Sequence, residues 1–454
     1  MKNMTVSAIA KACGGQVVGL PEEQKQIEAA GVVLDSRQVE KDYIFIATKG
    51  EKVDGHSFIP QVMEKGALAC VCETLPNPVT GPCILVEDSF ATLRAIAKYY
   101  REQLDITMIG ITGSVGKTST KEFVAGVLSK SFSVLKTEKN FNNEVGVPLT
   151  LLKIREEHQV AVLEMGINHF GEMHRLSEMV QPDYCIFTNI GPCHLEHLGD
   201  LNGVLRAKSE IFDFQKKDGK IFVNGDDDKL VTLKEEKKGQ LITYGCKGNN
   251  DIYSKDLSID GLQGSTFAVE GMVSLPRVRI PLPGEHMVYN ALVAIAVAHF
   301  LGMKEEDIAK GLASVEGVGG RSHVISFTDY TVIDDCYNAN PVSMRAALDL
   351  LATAKTRKVA ILGDMFELGE NERMLHSLIG TYAMDRVDVL IAIGELSKEM
   401  ADAAKEHCYN QEVYYFPTKD EATQTLFQLL KPQDTILLKA SHGMEFTSIL
   451  AAFA

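Results

Sequence analysis

Gly110-Ile111-Thr112-Gly113-Ser114-Val115-Gly116-Lys117-Thr118-Ser119-Thr120 is the stretch whose reading decides the fold. The apolar run Thr107 to Thr112 leads into it as a strand, and a helix is predicted to start near Lys117. Glycines at 113 and 116 let backbone N–H groups close around phosphate, and the helix N-terminus adds partial positive charge. Lys117 can then reach the β and γ phosphates of a nucleoside triphosphate, with Gly113, Ser114, Gly116 and Ser119 around them and Thr118 placed to ligate magnesium. A ligand-free turn is the alternative, weakened by Gly-Lys-Thr standing between strand and helix. Ile111 occupies the place of the usual first glycine of the pattern.

Outward from this loop, further buried-type strands are predicted at Val160 to Glu164, Cys185 to Asn189, Ile221 to Asn224 and Leu241 to Tyr244, alternating with helices. That alternation implies a largely parallel sheet. Glu164 closes its strand where a magnesium-directing acid would face the crevice, although a solvated strand end could carry the same residue. Residues 252 to 280 look β-rich, and an Ala-rich helix is predicted from about Val288 to Leu301.

Three glycines between Gly317 and Gly320 disfavour helix and strand alike and mark a linker. Beyond it, strands are predicted at Thr331 to Asp334, Val359 to Gly363, Val389 to Gly394, Val413 to Phe416 and Thr435 to Lys439, again separated by helical stretches. Before Asp105 the pattern is mixed, with a strand at Ile84 to Val86 and a helix carrying Phe90, Leu93, Ala97, Tyr100 and Leu104. The expected fold is therefore α/β in three domains. Residues 1-105 form a small mixed α/β N-terminal domain, 106-316 a central P-loop domain on a parallel sheet, and 317-454 a Rossmann-like doubly wound C-terminal domain.

The 454 residues exceed what one core accommodates, and no apolar run is long enough for a membrane span. A formal charge of −15 argues against non-specific binding of nucleic acid, which needs many cations to displace phosphate counterions. Nine cysteines form an odd, scattered set, and Cys70 and Cys72 lie too close for metal-type Cys-x-x-Cys spacing, so reduced structural thiols and a cytoplasmic location are expected. Oligomeric state leaves no trace in the sequence, and a monomer is the default.

His194, in Thr188-Asn-Ile-Gly-Pro-Cys-His194, and Lys208, in Lys208-Ser-Glu-Ile211, gain meaning only in company. Together with Thr112-Gly-Ser-Val-Gly-Lys-Thr118, Glu164-Met-Gly166 and Gly284-Glu-His-Met-Val-Tyr-Asn290, they resemble the Mur ligases, the amide-forming enzymes that build the peptide stem of peptidoglycan. The resemblance covers essentially the whole chain. Val115 stands where asparagine is commoner. Asp334-Asp-Cys-Tyr337-Asn338-Ala-Asn340-Pro341, Ile361-Leu-Gly-Asp-Met-Phe-Glu367-Leu-Gly369 and Asn140-Phe-Asn142-Asn143-Glu-Val-Gly146 resemble the branch that adds a D-alanyl-D-alanine dipeptide.

That resemblance implies ATP and Mg2+ as cofactors, with UDP-N-acetylmuramoyl-tripeptide and D-alanyl-D-alanine as small-molecule substrates. Catalysis would rest on Lys117, Glu164, His194 and Lys208. Metal would be held by Thr118, Glu164, His194 and Lys208, the last as a carbamate, because an ammonium would repel a second ion. Asn290 would face adenine, while Arg321 and Asp335 would reach the ribose and phosphates from the third domain. Asp35, Ser36, Arg37 and His56 would bind the UDP-sugar, although Asp-Ser-Arg alone reads as an ordinary surface turn. Asn142 and Asn143 would bind substrate, and Tyr337, Asn338 and Asn340 would help place the incoming dipeptide, with capping of the Pro341 helix the alternative for Asn338 and Asn340. A guanine-nucleotide switch is disfavoured by the absence of an Asn-Lys-x-Asp run, and an inactive scaffold by the joint presence of the catalytic set.

Overall fold

The short apolar runs of the first hundred residues pair into a five-stranded sheet in the computed structural model, which describes residues 1–50 and 53–453. Its strands are β1 (Gln16–Val18), β2 (Gly31–Val33), β3 (Tyr43–Ile46), β4 (Ala69–Cys72) and β5 (Cys83–Leu85), in the order β1-β5-β4-β3-β2. Only β1 runs antiparallel to its neighbour. Strand β4 is buried at every position, as expected of a parallel strand covered on both faces. The helix Ser89–Arg101 starts at Asp88, whose carboxylate accepts from the N–H groups of Phe90 and Ala91. It buries Leu93, Ile96, Ala97 and Tyr100, and its Arg101 guanidinium donates to the carbonyls of Val180 and Gln181 in the central domain. One apolar core thus runs from Met4 through Leu93 to Met108 and Val180.

The central sheet comprises β6 (Thr107–Thr112), β7 (Val134–Lys136), β8 (Val160–Glu164), β9 (Tyr184–Phe187), β10 (Lys220–Asn224), β11 (Leu241–Gly245), β12 (Ile252–Ile259), β13 (Ser265–Gly271) and β14 (Leu275–Ile280). Their order is β14-β13-β12-β11-β10-β9-β6-β8-β7. Every pairing from β7 to β12 is parallel, and β12, β13 and β14 close the edge as an antiparallel meander. The helix Glu285–Phe300 is buried nearly all round against the helix Lys117–Leu128 and the sheet, a position that its small Ala291, Ala294, Ala296 and Ala298 suit.

The third sheet contains β15 (His323–Ser326), β16 (Thr331–Asp334), β17 (Lys358–Gly363), β18 (Val389–Ile393), β19 (Glu412–Phe416) and β20 (Thr435–Lys439), ordered β15-β16-β20-β17-β18-β19. All pairs are parallel except β15 with β16. Helices cover both faces over separate cores, giving the doubly wound arrangement. The expected strands recur within a residue or two at their ends. The departures are β1 to β4, β7 and β15, short strands that periodicity does not reveal. Among the described residues no helix is long and apolar enough to cross a membrane.

Gly380 lets two helices of the third domain touch, since a Cβ there would lie 2.0 Å from the Met400 carbonyl oxygen. In a helix interior alanine is favoured over glycine by about 1 kcal/mol, whereas overpacking costs about 1–3 kcal/mol. Gly380→Ala should therefore destabilise on balance. Hydrogen exchange in the intact chain should show faster exchange in β17 and β18, with β6 and β8 unchanged.

Candidate functional site

Parallel pairing of β6 with β8 aligns Ile111 with Glu164, so the phosphate-type loop and the carboxylate emerge from the same sheet edge. Gly113 and Gly116 take φ values of +144° and +83° there. A Cβ at Gly113 would fall 1.9 Å from the Thr188 hydroxyl, so glycine is required on both counts. The segment after β9 braces the loop: the Asn189 carbonyl accepts from the Ser114 N–H at 3.0 Å, and its side-chain oxygen accepts from the Val115 N–H at 2.9 Å. The Ser114 hydroxyl donates to the Gly191 carbonyl and accepts from the Gly191 N–H.

The Thr118 hydroxyl donates to Glu164 Oε2 and Asn142 Nδ2 donates to Oε1, each at 2.8 Å. The Glu164 N–H in turn donates to the Thr137 hydroxyl. Glu164 is only 2% exposed, so two polar partners hold its carboxylate in a fixed plane. The Lys117 ammonium donates to the Gly113 carbonyl at 2.8 Å, and burial pushes its pKa down against the opposing pull of Glu164. Thr120 donates to Asn290 Oδ1, which sets that asparagine beside Gly116.

A cavity of about 660 Å³ opens over this edge, between the central and third domains. It is lined by Ser114, Gly116, Lys117, Thr118, Ser119, Asn142, Asn143, Glu164, His194, Asn290, Arg321, Asp335, Tyr337, Asn338 and Asn340. Several of these also hold the fold. Asn143 accepts from the Val145 and Gly146 N–H groups, and Asn340 forms a capping box with Ser343 on the helix Pro341–Ala352. The Arg321 guanidinium stacks 3.9 Å from the Tyr337 ring centre.

Lys208 lies outside the lining, buried, and takes part in no ion pair among the described residues. Burial, aided by nearby Lys117 and opposed by Cys193 and Glu172, holds its pKa down at about 8. His194 is likewise pushed down by burial and by Lys208 and Lys117, with Glu367 opposing. The three basic groups thus share one neighbourhood.

Asp35, Ser36, Arg37 and His56 sit in the first domain, away from the cavity. Arg37 grips Asp35 with two nitrogens, holding its carboxyl down at about 2, and Ser36 offers its carbonyl to Lys65. His56 contacts Asp54 through Nδ1 and accepts from the Glu73 N–H through Nε2.

The sequence motifs gave no chemical role to Asn189, Asn224, Tyr244, Tyr289 or Lys439, all in the lining. Lys439 donates to Asp335 Oδ2 at 2.6 Å and to the Asn338 carbonyl at 2.9 Å, while Asp335 Oδ1 accepts from the Ser322 N–H. This buried ion pair fixes the loop that carries Tyr337 and Asn338. A lysine ending a buried strand was the available signal.

Family models match along the chain: "Mur ligase family, catalytic domain" over 28–93, "Mur ligase middle domain" over 111–298 and "Mur ligase, glutamate ligase domain" over 320–442. A UDP-N-acetylmuramoyl-tripeptide--D-alanyl-D-alanine ligase of Bacillus subtilis is 37% identical, covering 99% of this chain and 98% of its own. The chain belongs to the Mur ligase family. Among solved structures, MurF from Acinetobacter baumannii superposes with a TM-score of 0.89 at 34% identity, covering 99% of this chain and 98% of that one. MurF ligase from Thermotoga maritima in complex with ADP gives 0.81 at 27% identity, covering 93% and 96%. For this Mur ligase, Lys439→Ala should strand the Asp335 carboxylate and cost about 3–5 kcal/mol. Replacing both partners, Lys439→Met with Asp335→Leu, should recover most of that in urea unfolding without recovering activity.

Proposed function

We propose that the chain joins D-alanyl-D-alanine to UDP-N-acetylmuramoyl-tripeptide at the expense of ATP, acting as a monomer in the cytoplasm. The observation that carries this reading is the shared cavity, in which a phosphate loop and Glu164 on one domain face Arg321, Asp335 and the Tyr337-Asn338 loop on another. In this reading residues 1-105 take the UDP-sugar through Asp35, Ser36, Arg37 and His56. Residues 106-316 bind ATP, and 317-454 close over the nucleotide and place the dipeptide.

Thr118 and Glu164 supply two oxygen donors 2.8 Å apart, and no cluster of three or more His, Cys, Asp or Glu able to hold a metal occurs among the described residues. Two protein oxygens completed by phosphate oxygens and water suit magnesium, which rarely takes an all-protein cage. Held by Thr118 and Glu164, magnesium would supply neutralisation of the negative charge on the transferring phosphates. Asn142 keeps the Glu164 carboxylate aimed, and the loop amides and Lys117 cradle the phosphates. A tripeptide carboxylate oxygen attacks the γ phosphorus, the bond to the β-phosphate oxygen breaks, and ADP departs. Lys117 offers positive charge where the acyl phosphate forms, and the His194 ring lines the cavity beside it. The neutral dipeptide amine then attacks the acyl carbon, inorganic phosphate leaves, and the amine gives up a proton. Asn290 orients adenine from beside Gly116.

Lys208 fits a second cation site only as a carbamate. A buried amine with no ion-pair partner among the described residues and a pKa near 8 has the neutral form that attacks the carbon of carbon dioxide, losing a proton as the carbamate forms. At constant dissolved carbon dioxide, a carbamate 13C signal should weaken as pH falls from 8.5 to 6.5, because protonation removes the nucleophile. Lys208→Ala should lack the signal and lose most activity; full activity in that variant would sink the assignment.

The decisive assay is phosphate release with ATP, magnesium and UDP-N-acetylmuramoyl-tripeptide, comparing D-alanyl-D-alanine with single amino acids. Release should require the tripeptide and the dipeptide together and yield a pentapeptide by mass. Release only with a single amino acid would overturn the acceptor assignment.

A further inference from the structure

His194 follows β9 at the start of the short helix Leu195–Leu198, and its ring lines the cavity. Glu367 lies in the third domain, beyond β17, outside the lining and 61% exposed at its side chain. Glu367 Oε2 nevertheless stands 2.7 Å from His194 Nδ1, so a carboxylate from one domain reaches behind a histidine of another. Neither residue is glycine, yet both take left-handed backbone, with φ of 51° at His194 and 61° at Glu367. Such conformations persist where surrounding structure imposes them.

The contact has neighbours. Gly369, at φ +66°, brings its backbone against Leu195 and Glu196, where a Cβ would lie 4.0 and 3.8 Å from them. Val342 packs on Gly191, whose added Cβ would come within 2.9 Å of it. The third domain therefore meets the 188–196 segment in three places, and that segment also braces the phosphate loop through Asn189.

We propose that Glu367 is the positioning residue through which docking of the third domain completes the phosphoryl-transfer site. Its carboxylate holds the proton on His194 Nδ1 and fixes the ring, leaving Nε2 to serve the cavity, as carboxylates behind functional histidines do. When the third domain swings away, the ring loses this partner while Lys117, Thr118 and Glu164 keep theirs within the central domain. ATP binding thereby survives opening, and transfer does not. The inference rests on the ligase reading for its kinetics but on geometry alone for the tautomer.

The test compares Glu367→Ala and Glu367→Gln in the full chain. The 15N resonances of His194, assigned by their loss in His194→Asn, should show the Nδ1–H form with a non-hydrolysable ATP analogue and magnesium in the wild type. The alanine variant should shift toward the other tautomer. In the phosphate-release assay, alanine should lower kcat about 10–100-fold with KM for ATP within about twofold, and glutamine, which keeps an acceptor oxygen, should recover part of it. Wild-type kcat in the alanine variant, or a rise in KM alone, would overturn the proposal. So would an unchanged tautomer. If the wild type itself released no phosphate with any acceptor, the ligase reading would fail, and the NMR comparison would still decide whether Glu367 sets the ring.

Discussion

The alignment of Ile111 with Glu164 across two parallel strands is the constraint on which the site depends. Parallel strands end at the same edge, so the glycine-rich loop and the buried Glu164 carboxylate emerge together. A one-residue slip would turn Glu164 into the opposite layer and put Leu163 in its place. Burial on both faces resists that slip. Met108, Leu163 and Met165 belong to one core, and Ile109, Ile111 and Val162 to the other.

From this edge the fold works by propping. Asn189 and Gly191 hold the loop from one side, while Thr137 and Asn142 hold Glu164 from the other. Each brace is a side chain or backbone group from the loop that follows a neighbouring strand, β9 on one side and β7 on the other. Burying a carboxylate is tolerated where its oxygens find such hydrogen-bond partners. The third domain repeats the device with Lys439, Asp335 and Ser322, a buried pair whose removal from either side leaves an uncompensated charge.

Legibility in the sequence followed the physics of burial. Strands covered on both faces, such as Val160–Glu164 and Thr435–Lys439, announce themselves as continuous apolar runs bounded by polar turns. The three-residue strands Gln16–Val18, Gly31–Val33 and Val134–Lys136 carry too few side chains for any period to register. The phosphate loop could be read because its glycines, lysine and threonine act within a dozen residues. Asn189 and Lys439 could not be read as chemistry, since their roles exist only through partners 74 and 104 residues distant. The capping of Asn340 shows the limit from the other side, because one asparagine can line a cavity and start a helix.

A cavity lined by two domains raises the question of how, in the proposed reading, ATP is spared when only half of the site is assembled. In that reading, the phosphate-holding groups of the central domain give affinity without transfer. Transfer needs groups aligned where charge develops, and alignment is what the second domain can give or withhold. Arg321, Asp335 and the Tyr337 loop arrive with that domain, on a segment whose Gly320 sits at φ +75°, where an added Cβ would lie 3.3 Å from Tyr337. A glycine is needed there for the chain to turn into β15 while the Arg321 guanidinium stays stacked on the tyrosine. The linker thus serves two ends: it turns the backbone between domains, and it delivers the arginine to the cavity in one orientation.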